Sequence, residues 1–120
     1  MHRAIAPLLL APALALGACG GGGSDREAIE DVIQDVARDS ATICEHATEG
    51  FLSRLGGPAG CRAAVRRDPD TSARTIDTPI DVRVDGRRAT ADFVDNDGKR
   101  RHVTFAEVGG EWLVDDSETR

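Results

Sequence analysis

The spacing of apolar residues in this chain changes from helical to alternating near residue 79, and that change dictates an α+β fold. Upstream, Ala28, Ile29, Val32, Ile33, Val36 and Ala37 recur at the three-and-four spacing of one helical face. Glu27, Glu30, Asp31, Asp35 and Arg38 fill the other side. Downstream, Ile80, Val82 and Val84 alternate with Asp81 and Arg83, as a strand with one buried face requires. A helix with one apolar stripe and a sheet with one apolar face each need a partner surface, and each supplies it to the other.

The helical spacing predicts a first helix from about Asp25 to Arg38 or Asp39, with Ser24 or Asp25 capping its start. Between Ser40 and Leu55, Ile43, Ala47, Phe51 and Leu55 keep a spacing of four, which reads as one helix or as two short helices broken at Thr48-Glu49-Gly50. Gly56-Gly57-Pro58 is a strong stop, and Cys61 to Arg67 reads as a short third helix. Asp68 to Thr78 reads as a loop, with a single strand residue at Ile76 as the alternative. Asp85-Gly86, Asn96-Asp97-Gly98 and Gly109-Gly110 are turn signals that divide the remainder into four strands in sequential hairpins. Val82, Val84, Ala91, Phe93, Val103, Phe105, Trp112 and Val114 form the expected apolar face. Asp115 to Arg120 has no period and is expected to fray.

The N-terminus carries a different signal. His2 and Arg3 precede an apolar run from Ala4 to Leu16, interrupted by Pro7 and Pro12. A membrane span needs about 20 apolar residues, so this run is too short and fits a secretory signal. It ends in Leu16-Gly17-Ala18-Cys19, which resembles the lipobox of bacterial lipoproteins. That resemblance implies diacylglycerol on Cys19 and cleavage between Ala18 and Cys19. The domain is then held at the extracytoplasmic face of the cell membrane. Two or three acyl chains anchor a protein stably, whereas one does so marginally. Residues 1–18 are then a removed signal, 19–24 a lipidated Cys with a Gly/Ser tether, and 25–120 the folded domain. The alternatives are an ordinary secretory signal cut elsewhere and an uncleaved anchor helix.

With Cys19 lipidated, Cys44 and Cys61 remain as a pair. Export places them in an oxidising compartment, where such a pair persists as a disulfide. Two separate buried thiols are the alternative. The sequence has no Cys-x-x-Cys and no clustered His, so no metal or cofactor is expected. Without its signal the chain has 14 basic and 21 acidic side chains, a formal charge of −7. That balance repels phosphate backbones, so nucleic acid is not an expected partner. It also leaves membrane attachment to the acyl chains alone.

Cys44…Phe51-Leu52…Leu55-Gly56-Gly57…Cys61 comes first, followed by Val82-Arg83-Val84-Asp85-Gly86-Arg87-Arg88-Ala89-Thr90 and Val108-Gly109-Gly110-Glu111-Trp112-Leu113-Val114-Asp115. In that order these segments resemble small actinobacterial lipoproteins with an NTF2-like (cystatin-like, SnoaL-like) domain. The resemblance implies N-terminal helices packed on a curved antiparallel sheet of about four strands, shaped as a cone. The group brings no assigned activity. Some members of the wider superfamily are isomerases or dehydratases with acid–base residues inside the cone.

Such chemistry needs a carboxylate or imidazole with a perturbed pKa in an apolar pocket. His46 is expected at a helix flank, and alternation points His102 and Asp92 away from the apolar face. Trp112 falls on the apolar side, as core or as a rim aromatic. His46, His102 and Trp112 are therefore weak ligand or partner candidates. Asp95-Asn96-Asp97-Gly98 lacks the outer acids of a calcium loop and reads as a hairpin turn. Arg87-Arg88 and Lys99-Arg100-Arg101 read as solvated patches paired with Asp81, Asp92 and Asp95, or as a dock for an anionic envelope polymer. No carboxylate interrupts the expected apolar face, so no catalytic residue is assigned. The expected function is a non-enzymatic binding or accessory module at the cell envelope, whose partner is an envelope protein or a small apolar ligand. A small isomerase or dehydratase and a structural homodimerising domain are the alternatives.

Overall fold

A computed structural model describes residues 21–68, 75–95 and 97–120, with only the backbone of 21–24. The expected signal, Cys19, part of the 68–78 loop and Asn96 lie outside the described residues. Helices come first: α1 (Gly21–Arg38), a 3-10 turn (Ser40–Glu45), α2 (Glu49–Arg54) and α3 (Gly57–Arg67). Four strands follow, β1 (Asp81–Asp85), β2 (Arg88–Val94), β3 (Arg100–Val108) and β4 (Glu111–Thr119). They form one open antiparallel sheet in the order β1-β2-β3-β4. No described helix is long and apolar enough to cross a membrane.

The apolar stripe of α1 does what its spacing requires, burying Ile29, Val32 and Ile33 against the sheet. The helix starts at Gly21, one turn before the expected Asp25. Glycine propensity argues for a later start, but adding a turn to an existing helix costs far less than nucleating one. The Trp112 indole N–H donates to Asp25 Oδ1 at 3.0 Å, so the aromatic ring sits in the core with its one polar atom satisfied.

The fourfold spacing from Ile43 to Leu55 does not form one helix. The 3-10 turn, capped by Asp39, ends at His46. Residues 46–48 then run beside β4, with Ala47 in a parallel bridge to Val114. The Thr48 N–H donates to the Val114 carbonyl at 2.9 Å, and the Val114 N–H donates to the His46 carbonyl at 2.6 Å. Thr48 next caps α2 by accepting from the Phe51 N–H at 3.1 Å, while its hydroxyl donates to Asp115 Oδ1 at 2.8 Å. α3 begins at Gly57 rather than Cys61. Gly56 (φ 94°) takes the left-handed conformation that stops α2, and Pro58 falls in the first turn of α3, where its missing N–H costs nothing. Gly56-Gly57-Pro58 is thus both a stop and a start.

Inside the sheet, the register stacks Val82, Ala91, Val103 and Ser117 in one row, and Val84, Ala89, Phe105 and Val114 in the next. Val84 departs from expectation: it is 39% exposed, because β1 is the sheet edge and has no neighbour beyond it. Arg26 covers part of that edge by donating to the Val82 carbonyl at 3.0 Å. The expected fraying after Val114 is also corrected, since β4 pairs with β3 to Thr119. A bulge causes the misreading. Phe105 faces Val114 but Thr104 faces Asp116, which leaves Asp115 as the extra residue. Val114 and Ser117 therefore share a face although three residues apart, and the alternation looks lost.

Ile76 is buried without belonging to a strand. The Gln34 side-chain amide donates to its carbonyl and accepts from its N–H, both at 3.0 Å. One side chain thus replaces the backbone partner a strand would have had.

Candidate functional site

Between the helices and the inner face of the sheet lies a cavity of about 310 Å³. Its floor is made by the buried Ile33, Cys61, Val103, Phe105 and Val114, and Phe51 and Val36 form its walls. The rim carries the exposed Leu55 and Asp68. Cys44 and Cys61 form a disulfide with a Cα–Cα distance of 5.9 Å, which ties the 3-10 turn to α3 and so holds the helical wall together.

One end of the cavity is polar, where the sequence pairs Asp95 with the Lys99-Arg100-Arg101 patch but places both in solvent. Asp95 and Arg101 both line it. Asp95 is only 8% exposed and accepts three hydrogen bonds. Its Oδ1 accepts from the N–H groups of Asp97 (3.0 Å) and Lys99 (2.9 Å), and its Oδ2 accepts from Arg101 Nε at 2.9 Å. The β2–β3 hairpin creates this arrangement. Gly98, at φ 81°, turns the chain so that its N–H donates to the Asp95 carbonyl, and the Asp95 carboxylate collects the N–H groups on either side of it, those of Asp97 and Lys99.

Burial pushes the Asp95 carboxyl up, but the Arg101 bond, the two backbone bonds and the Arg101 charge outweigh it and hold its pKa below the usual carboxylate value. Asp95 is therefore an anion at neutral pH that already accepts three hydrogen bonds. It has no proton to give as an acid and little basicity to offer as a base. Because the folded value lies below the unfolded value of about 3.9, the stability Asp95 contributes is fully present above that value. It is lost as pH falls through the lower, folded value. Asp95→Asn is expected to cost about 2 kcal/mol at pH 7, the range for a charged hydrogen bond. The gap from the parent should shrink as pH falls from 5 to 2 in urea unfolding, and a gap constant with pH would refute the ion pair's role.

The expected apolar face therefore does contain a carboxylate, and Arg101 is not part of a solvated patch. The available signal was alternation carried two residues further. Phe93 continues to Asp95, and Val103 runs back to Arg101.

The other candidates lie away from this cavity. His46 contributes mainly its backbone, with its ring 3.9 Å from Asp35 Oδ2 at the helix flank. His102 points to the outer face, where its Nδ1 is 2.7 Å from Asp92 Oδ1. The register places Asp81, Asp92, His102 and Glu118 in one row across that face. Among the described residues no group of His, Cys, Asp and Glu is arranged to hold a metal ion. The next outer rows hold Arg83, Thr90, Thr104 and Asp116, then Asp85, Arg88, Ala106 and Leu113. Trp112 is 5% exposed and does not line the cavity.

These features define an α+β domain with an open sheet, an apolar interior cavity and an ion pair at one end of it. Comparison with protein-family models, with characterised proteins and with solved structures finds no match for this chain.

Proposed function

We propose that this chain is a lipid-anchored, non-catalytic binding module of the cell envelope, an NTF2-like domain that holds a small apolar ligand between its helices and its sheet. The cavity carries this proposal. It has the size of the smallest ligand sites, which begin at about 300 Å³, and its floor is aliphatic and aromatic. Catalysis is disfavoured because the buried carboxylate in the cavity, Asp95, is already committed to three hydrogen bonds. Leu16-Gly17-Ala18-Cys19 supplies the anchor.

Two measurements on the full-length chain test the proposal. Intact mass after purification from the host membrane should show acylation that Cys19→Ser abolishes, and an unmodified parent protein would overturn the anchor. Methyl NMR in lipid nanodiscs tests the cavity. Octan-1-ol should shift the resonances of Ile33, Val36 and Val103 before those of Val84 and Val108, which lie outside it. Uniform shifts or none would overturn the binding function.

A further inference from the structure

The polar end of the cavity points to a ligand class. Arg101 is held by one bond, from its Nε to Asp95 Oδ2. Asp95 is itself pinned by the hairpin backbone, so the guanidinium cannot swing away without breaking that contact. Nε is one of five N–H donors on an arginine. The two terminal nitrogens have no hydrogen-bond partner among the described residues, and the Arg101 side chain is 31% exposed. Ser117, the inward residue beside the β4 bulge, also lines the cavity, diagonal to Arg101 across β3 and β4. Beyond this end the lining becomes Val36, Phe51, Val103 and Phe105.

We infer that the cavity takes a medium-chain carboxylic acid, its carboxylate bound by the terminal nitrogens of Arg101 and its alkyl chain on the apolar floor. This inference rests on the binding function proposed above. A planar guanidinium matches a carboxylate with two parallel N–H···O bonds, and such charge-assisted bonds are about twice as strong as neutral ones. Asp95 orients the guanidinium through Nε and offsets part of its charge, while the terminal N–H groups of the protonated side chain remain available as donors. Asp68 is the opposing charge, but it stands at the exposed rim, where water and salt screen it. Size limits the chain length. At about 30 Å³ per non-hydrogen atom, the volume of a liquid water, the cavity holds roughly ten such atoms, the number in octanoic acid.

The test uses the full-length chain in lipid nanodiscs with octanoate, octan-1-ol and octylammonium as probes. Trp112 is the sole tryptophan and is buried, so its fluorescence reports unfolding, and bound ligand raises the midpoint by mass action. Octanoate should bind at least tenfold more tightly than octan-1-ol, and Arg101→Gln should erase that difference. Equal binding of acid and alcohol by the parent chain would overturn the head-group assignment and leave the binding function standing. Tightest binding by octylammonium would overturn it in favour of Asp68. If no probe binds, both the assignment and the binding function fall. The comparison within the parent chain keeps the inference falsifiable even if Arg101→Gln does not fold.

Discussion

Gly60→Ala should destabilise the domain by about 3 kcal/mol, the upper end of the range for overpacking, read from urea unfolding with Trp112 as probe. A Cβ on Gly60 would stand 2.0 Å from the Leu55 carbonyl oxygen and 2.9 Å from its carbon. Both are backbone atoms of the residue that closes α2, so no flexible side chain can move aside. Relief requires separating α2 from α3 at the corner where Gly56 already occupies a left-handed conformation. The cavity wall would open with it, since Leu55, Cys61 and Ala64 line it from this corner. Gly50→Ala is the matched control. Its Cβ would meet its nearest atoms at 3.9 Å, in ordinary contact, so the usual gain of about 0.5–1 kcal/mol for replacing a helical glycine is expected. A Gly60→Ala protein within 1 kcal/mol of the parent would refute the close approach.

Removing the Cys44–Cys61 disulfide should cost a similar amount. The bond spans 17 residues, and closing a loop of that order stabilises by about 3 kcal/mol in the chain-entropy model. The pair Cys44→Ala/Cys61→Ala is the appropriate substitution, because Cys61 is fully buried and serine would leave a hydroxyl in an apolar floor. Reduction of the parent protein should produce the same loss, and the unreduced protein should show no reactive thiol at either position. Two reactive thiols, or unchanged stability in the double variant, would refute the bond's role. The short α2 and the 3-10 turn depend on it most, since neither has a buried residue of its own.

Much of the fold is legible from one dimension. The α1 stripe, the three hairpin turns and the inward placement of Val82, Ala91, Val103, Phe105, Trp112 and Val114 all follow from period and turn chemistry. So does the outward pairing of His102 with Asp92, because adjacent strands in a meander must place alternate residues on the same face. The failures cluster where a residue is satisfied by something distant in sequence. β4 reaches Thr119 because β3 supplies hydrogen bonds whatever the side chains are. Ile76 is buried because Gln34, 42 positions earlier, satisfies its backbone. Residues 46–48 leave the helical pattern because the edge of β4 offers a better partner for their N–H and C=O groups.

The candidate site was legible only in part. Two of its features, the apolar floor and the cysteine pair, were readable in advance. Its polar end was not, although Asp95 and Arg101 obey the same alternation as their neighbours. A charged residue next to a turn ordinarily faces water, and pattern alone assigns it there. It is buried here because a hairpin presents two free N–H groups to Asp95, and Asp95 in turn holds Arg101.

Sequence alone determined the class of fold, the order of elements and the turns, because these depend on local period and backbone freedom. Tertiary structure alone decided where β4 ends, how α2 meets α3 and that an ion pair forms one end of an apolar cavity. Those outcomes depend on which unpaired backbone and charged groups meet in space. Burial forces every such group to find a partner, but it does not specify in advance how far along the chain that partner lies.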